Sequence, residues 1–305
     1  MMCILVIRLG AFGDFVQSFA PFAAIRAAHP EAEITLLTTA PFAALGRAAP
    51  WFDRVEVDAR PGWWNIPGLL RLRRQLQGFD LVYDLQTSGR SSRYFRLAGR
   101  PRWSGIAAGC ALPHDNPGRD AMHTRERQRE QLERAGITEF PVPDLSWLPD
   151  TQASLPRRYA LLAPGAAAHR PGKRWPPEQY ALLGRMLADQ GVVPVVIGVA
   201  AEADIGATIT LFCPSAIDLT GKTTVGEVFA LARGAAVVVG NDTGPMHLAA
   251  LSGTPCVVLF GPESDPALTA PRGPKGEWLA VLRVDDLRAL AAEDVFARAS
   301  AVMRG

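Results

Sequence analysis

Residues 235–262 read AAVVVGNDTGPMHLAALSGTPCVVLFGP. An apolar, β-branched run at 235–240 ends in the polar turn Asn241-Asp242-Thr243-Gly244-Pro245-Met246-His247. The small residues Leu248-Ala249-Ala250 follow, and after Gly253 a second apolar run occupies 255–260. Near-continuous apolar strands of this kind are covered on both faces, which is the condition of a parallel sheet. Pro245 falls where a first helical turn sacrifices no hydrogen bond. The stretch therefore predicts strand, turn, helix and strand, the unit from which α/β folds are built.

The same alternation extends in both directions. In the second half, strands are predicted at 159–163 and 192–198, and helices at 177–190, 202–212 and 224–233, with Gly191 as a helix stop. In the first half, strands are predicted at 3–7, 33–39, 54–58 and 80–85, and helices at 14–28, 41–48 and 66–77. Between the halves, residues 140–158 hold Pro141, Pro143, Pro149 and Pro156 with few periodic apolar positions, a linker composition. The expectation is an α/β chain of two αβα domains, 1–155 and 156–305, with parallel sheets whose carboxyl ends face an interdomain cleft. Ligands of open parallel sheets bind outside those strand ends, so the informative residues should follow strands.

Composition narrows the function. The 305 residues carry 32 Lys+Arg against 30 Asp+Glu, too even for a dedicated nucleic-acid binder. A hydrophobic fraction of 48% excludes a disordered chain. Cys3, Cys110, Cys213 and Cys256 are far apart and form no zinc or C-x-x-C motif, as suits a reducing compartment. The apolar start stops at Arg8 and reads as a strand, not a signal peptide. The longest uncharged stretch, 243–262, is broken by glycine and proline, so no spanning helix is expected and the protein is read as cytoplasmic. Only Lys173, Lys222 and Lys275 are lysines, a scarcity that suits arginine-favouring codons.

Four loops after strands could carry chemistry. Arg8-Leu9-Gly10-Ala11-Phe12-Gly13-Asp14 brings a carboxylate to a helix start, where Asp14 either caps the helix or acts as a base toward a hydroxyl. Gly240 to His247 offers backbone N–H groups, the Thr243 hydroxyl and an imidazole to a phosphate; an ordinary turn with Asp242 as cap is the plain alternative. Gly165, with Lys173, Arg174 and Trp175, could neutralise a diphosphate and cover a ring. Glu202 either binds ribose hydroxyls or caps a helix.

One motif is set aside. Residues 216–223, AIDLTGKT, fit a relaxed Walker A pattern around Lys222, but Ile217 and Leu219 are apolar and the first glycine is missing. No G-x-S-x-G, H-E-x-x-H or post-strand G-x-G-x-x-G occurs, and the five histidines lack metal-ligand spacing. Trp63 and Trp64 precede Arg71, Arg73 and Arg74, and a second basic run spans Arg90 to Trp103. Together they form either solvated helix faces or a surface for an anionic acceptor or membrane.

Taken together, the opening ILVIRLGAFGDFVQSFAPFAAIRAAHP, PGAAAHRPGKRWPPEQY, DLTGKTTVGEVFALARGA and VVVGNDTGPMHLAALSGTPCVVLFGP resemble glycosyltransferase family 9, the ADP-heptose:lipopolysaccharide heptosyltransferases. The resemblance implies a GT-B fold of two Rossmann-like domains, the first binding acceptor and the second the sugar nucleotide. It implies inverting transfer, with no metal or cofactor, of a sugar such as heptose from an ADP-sugar to an anionic glycolipid of the lipopolysaccharide core. The even charge balance leaves no nucleic-acid partner expected, and the aromatic-basic surface is where peripheral contact with the cytoplasmic face of the inner membrane is expected. Matched residue by residue, the resemblance makes Asp14 the general base and Lys173 the group that stabilises the leaving diphosphate. Gly13, Gly165, Arg174, Glu202, Asp242, Thr243, Gly244, Pro245 and His247 would contact the sugar nucleotide. A P-loop phosphotransferase and a non-catalytic sugar-nucleotide-binding protein remain the alternatives.

Overall fold

The computed structural model of the chain describes residues 1–148, 155–167, 169–277 and 279–304. Among these residues the chain builds two six-stranded sheets, each within its own compact unit, Met1–Trp147 and Leu148–Gly305. The first contains β1 (Cys3–Ile7), β2 (Glu33–Thr38), β3 (Arg54–Val57), β4 (Leu81–Asp84), β5 (Trp103–Gly105) and β6 (Leu112–Pro113), in the order β3-β2-β1-β4-β5-β6. The second contains β7 (Tyr159–Ala163), β8 (Val193–Val196), β9 (Ile217–Asp218), β10 (Val237–Asn241), β11 (Cys256–Phe260) and β12 (Ala280–Arg283), in the order β12-β11-β10-β7-β8-β9. Every pairing is parallel.

Burial follows from the strand composition. Ile4, Leu5, Val6 and Ile7 are fully buried, as are Val237 and Val239, because helices cover both sheet faces. In each sheet the strand order reverses next to the unit's first strand, between β1 and β4 and between β7 and β10. Crossovers leave that point in opposite directions and open a crevice at the strands' carboxyl ends. The loops expected to carry chemistry begin there.

Three differences from the sequence reading have physical causes. The helix expected over 14–28 is two helices, Phe12–Gln17 and Phe19–Ala28, meeting at Ser18. The Ser18 hydroxyl donates to the Asp14 carbonyl (2.9 Å) and accepts from Gln128 Nε2 (2.8 Å), the back-bonding by which serine bends helices. Helix Thr124–Arg134, TRERQREQLER, escapes pattern reading because its inward face consists of Thr124, Gln128, Gln131 and a single apolar residue, Leu132. Finally, the units divide between Trp147 and Leu148, within the proline-rich segment in which the sequence reading set the boundary near residue 155. Trp147 belongs to the first unit because its ring meets Trp51 edge-on at 5.7 Å and tilts against Phe19 at 5.9 Å. Pro149 lies outside the described residues.

Gly240 shows how tightly the β10 end is filled. A Cβ there would stand 2.5 Å from Met246 Sδ and 2.8 Å from Ala163 Cβ, in the packed space between β10, β7 and the next helix. Gly240→Ala should cost about 1–3 kcal/mol, the usual penalty of overpacking a core, as a lower urea midpoint with unchanged slope. A variant as stable as the parent would show instead that the turn has room to shift.

Candidate active site

The apolar run of β1 is closed by Arg8, which is buried although charged. Its guanidinium donates to the Leu85 carbonyl (Nη1, 2.5 Å) and the Asp14 carbonyl (Nε, 3.2 Å), and pairs with the Asp14 carboxylate at 3.3 Å. Burial lowers the Arg8 pKa from its ordinary value, against which the charges of Asp14 and Asp84 act to raise it. Asp14 itself is not a cap. Ala11 occupies the N-cap, and Asp14 lies in the first turn with its side chain 42% exposed, held on one side by Arg8. Gly13 precedes it in the same turn. The loop is fixed from below, since Leu9 N donates to Gln86 Oε1 and its carbonyl accepts from Thr39 Oγ1 and Arg60 Nη2.

Asp14 opens onto a cavity of about 260 Å3, lined also by Arg8, Thr87, Arg119, Arg127 and Gln131. The lining is polar, with three guanidinium groups facing the carboxylates of Asp14 and Asp120, the latter paired with Arg119 at 3.1 Å. Arg119 donates to Thr87 Oγ1 (2.6 Å), and its pKa is lowered from the ordinary value by burial and then by the charge of Arg127. Two guanidinium groups that raise each other's energy are partly relieved by a bound anion. Near the cavity lies Asp84, fully buried at the end of β4, whose Oδ1 accepts from Gln86 N (3.1 Å) and Thr87 N (3.0 Å). Desolvation pushes this carboxyl up from 3.8 to about 6, although the Ser91 hydroxyl, those amides and the Arg8 charge pull the other way. Arg8, Asp84, Arg119 and Arg127 were not singled out as site residues in the sequence; Arg8, a charge closing an apolar strand, was the one available signal.

In the second unit the site grows from Asn241, the last residue of β10 and fully buried. Its Oδ1 accepts from Trp175 N (3.2 Å) and the Tyr180 hydroxyl (3.1 Å), and its Nδ2 donates to the Pro164 carbonyl (2.7 Å). The loops after β7 and β10 are thereby tied together, and Lys173 meets Asp242 in a buried pair at 2.5 Å. Thr243 is the N-cap of helix Gly244–Leu251 without using its hydroxyl as a cap, and Pro245 lies in the first turn. His247 is buried one turn further along. The amino end of this helix and Lys173 therefore supply positive charge on either side of Asp242.

The remaining expected residues are placed unequally. Glu202 does not cap helix Ala203–Phe212 with its side chain, but it caps the short turn Ala200–Glu202 before it. Its Oε2 accepts from Val199 N (2.9 Å), and its carboxylate fills the space left by two glycines: a Cβ on Gly165 would overlap it, and one on Gly198 would stand 2.8 Å from it. Arg174 is spent on structure, donating twice to the Ala166 carbonyl (2.7 and 3.3 Å). Trp175 cannot cover a ligand ring. It is buried against Tyr180, and its Nε1 donates to the Leu290 carbonyl. Gly172, beside Lys173, is anchored by its amide to Glu263 Oε1 (2.9 Å), a contact the sequence does not signal. The Walker-like stretch is an edge strand and turn: Lys222 Nζ donates to the Asp218 carbonyl (2.8 Å), and the following helix starts at Val225 with its own Thr224 cap.

Comparison with known proteins gives one consistent result. Residues 69–294 match the family model described as glycosyltransferase family 9 (heptosyltransferase). A lipooligosaccharide heptosyltransferase 2 of Haemophilus influenzae is 26% identical, over 92% of this chain and 89% of the relative. Among solved structures, the ADP-heptose lipopolysaccharide heptosyltransferase II of Escherichia coli superposes with TM-score 0.75 and 24% identity, covering 99% of each chain. The Escherichia coli heptosyltransferase WaaC with ADP superposes with TM-score 0.79 and 21% identity, over 99% of this chain and 100% of that one. Both share the two-unit GT-B fold.

The buried carboxyl of Asp84 yields a pH signature. Its folded pKa of about 6 exceeds the ordinary 3.8, so the folded chain holds this proton more tightly than the unfolded one. Ionisation therefore costs stability: the cost is absent below the unfolded value and complete above the folded one, on the order of 3 kcal/mol. Relative to Asp84→Asn, the parent should lose stability as pH rises from about 4 to about 7, measured by urea unfolding at each pH. A gap between the two proteins that does not change with pH would contradict this assignment.

Proposed function

The chain belongs to glycosyltransferase family 9 (heptosyltransferase), and on that premise we propose that it transfers a heptose from ADP-heptose to an anionic glycolipid of the lipopolysaccharide core. Transfer proceeds with inversion at the anomeric carbon and without a resident metal. The observation that carries this reading is the buried Lys173–Asp242 pair beside the amino end of helix Gly244–Leu251, a ready seat for a leaving diphosphate.

The chemistry divides between the two sets of residues. As the bond between the anomeric carbon and the β-phosphate oxygen breaks, its electron pair passes to the diphosphate. Lys173, the helix N–H groups and the Thr243 hydroxyl stabilise that charge. A carboxylate would repel the diphosphate, so Asp242 serves by positioning Lys173, and His247 stands one turn behind the same helix start. Glu202, seated over Gly165, accepts hydrogen bonds from ribose hydroxyls, and Arg174 holds the loop in shape. On the acceptor side, the attacking hydroxyl gives its proton to Asp14 while its oxygen bonds to the anomeric carbon on the face opposite the departing ADP. Such a base contributes roughly 10²–10⁴-fold. Arg8 orients the Asp14 carboxylate, and Arg119 and Arg127 in the same cavity receive anionic groups of the acceptor. An acceptor anchored by lipid requires work at the cytoplasmic face of the inner membrane, as a peripheral protein.

Substitution separates this reading from its rivals. Asp14→Asn should lower transfer by roughly 10²–10⁴-fold while leaving ADP affinity by calorimetry nearly unchanged. Lys173→Ala should weaken ADP binding, and Lys222→Ala should alter neither. Wild-type protein should bind ADP more tightly than UDP or GDP. Loss of nucleotide binding in Lys222→Ala would instead support a P-loop enzyme, and a preference for UDP would overturn the ADP-heptose donor. ADP-heptose binding without ADP release in the presence of any glycolipid extract would mark a non-catalytic binding protein.

A further inference from the structure

The near-neutral total charge conceals a segment of one sign. Between residues 59 and 114 the chain has nine arginines and only two carboxylates, Asp80 and Asp84. Asp84 is buried, and Asp80 accepts a hydrogen bond from the Cys3 amide (2.7 Å). Within this basic field, Trp64 is 87% exposed, Ile66 65%, Leu70 50% and Trp63 39%. Single exposed apolar residues are ordinary on a soluble protein, but four large ones within eight positions form a patch that needs a partner.

The local structure shows that this patch is built, not frayed. Helix Ile66–Gln75 is capped by Asn65, whose side chain accepts from Gly68 N, and has proline in its first turn. Leu72 and Leu76 turn inward, which leaves Ile66 and Leu70, one turn apart, on an outer face. Arg71, Arg73 and Arg74 are exposed beside them. From the neighbouring helix Gly89–Leu97, the guanidinium groups of Arg90 and Arg93 lie 5.6 and 5.1 Å from the Trp63 ring. The ridge also joins the Asp14 loop. Immediately before it in sequence, Arg60 donates to the Leu9 carbonyl (3.1 Å) and lines a cavity of about 640 Å3 shared with Gly10 and Phe42.

We propose that the ridge from Trp63 to Leu70 enters the interfacial layer of an anionic bilayer while the surrounding arginines engage its phosphate headgroups. The choice of a bilayer rests on the glycolipid-acceptor reading, and the side chains favour it independently. Tryptophan rings are at home at the membrane–water interface, and arginine beside them matches an anionic leaflet. Ile66 and Leu70 have no base-stacking role to play on a nucleic acid but partition readily into acyl chains. Among the described residues no helix is long and apolar enough to cross a membrane, so the contact is peripheral.

The test is co-sedimentation of the full chain with vesicles of phosphatidylcholine, with and without phosphatidylglycerol. Wild-type protein should bind the anionic vesicles at least about tenfold better than neutral ones, and less as salt rises. The triple variant Trp64→Ser, Ile66→Ser, Leu70→Ser should lose about tenfold or more in vesicle affinity. It should keep its thermal stability and its transfer rate on a soluble, delipidated acceptor. Arg71→Gln, Arg73→Gln and Arg74→Gln together should remove the preference for anionic lipid. The proposal is overturned if wild-type protein ignores anionic vesicles, if the triple variant binds them equally, or if inorganic phosphate alone displaces the protein. Vesicle binding without transfer to any acceptor would leave the ridge standing and sink the glycosyltransferase reading.

Discussion

In the second unit a single buried amide holds the candidate site together. Asn241 stands where β10 ends and spends both ends of its side chain on loops that would otherwise have buried, unpaired backbone groups. Its oxygen fixes the chain at Trp175 and the Tyr180 hydroxyl; its nitrogen fixes Pro164. The first unit solves the same problem with a charge. Arg8 ends β1 and ties Leu85, after β4, to the first turn of the Asp14 helix. In both cases the polar side chain lies at the point where strand order reverses, where the crevice leaves least regular backbone to satisfy the loops.

This arrangement explains which parts were legible in the sequence. Strands read well because a doubly covered sheet demands apolar runs, and β1 and β7 were placed residue for residue. The three-residue β5 and two-residue β6 carry too little pattern to be seen. Helix Thr124–Arg134 was invisible for a different reason: it packs through amides. Gln131 donates to the carbonyls of Asp84 and Ser104, and Gln128 to Ser18, so its inward face has no apolar period to detect.

The candidate site was legible by position and less so by role. The residues singled out after strands lie in loops and helix starts that follow the strands' carboxyl ends, but local chemistry decides what each does. Asp14 was as good a cap as a base on sequence grounds; its place in the first turn beside Arg8 removes the cap. Trp175 next to two cations resembled a ring cover, yet its indole nitrogen is bound to Leu290, far along the chain. Long-range partners of this kind leave no trace in local sequence. The arginine-lined cavity beside Asp14 is the extreme case, since Arg8, Arg119 and Arg127 come from three separate elements.

The scarcity of lysine gains a physical meaning at one position. Arg26 and Arg174 act as fixed forks: Arg26 donates to the Trp51 and Ala32 carbonyls and to Asp53, and Arg174 twice to Ala166. A guanidinium at position 173 could grip Asp242 through two parallel bonds and would leave that carboxylate reluctantly. An ammonium is a compact point charge on a flexible stem, and it can pass from one oxygen to another without losing a fixed geometry. On the proposed function, the group at position 173 exchanges the Asp242 carboxylate for a leaving diphosphate, and an ammonium suits that exchange better than a guanidinium.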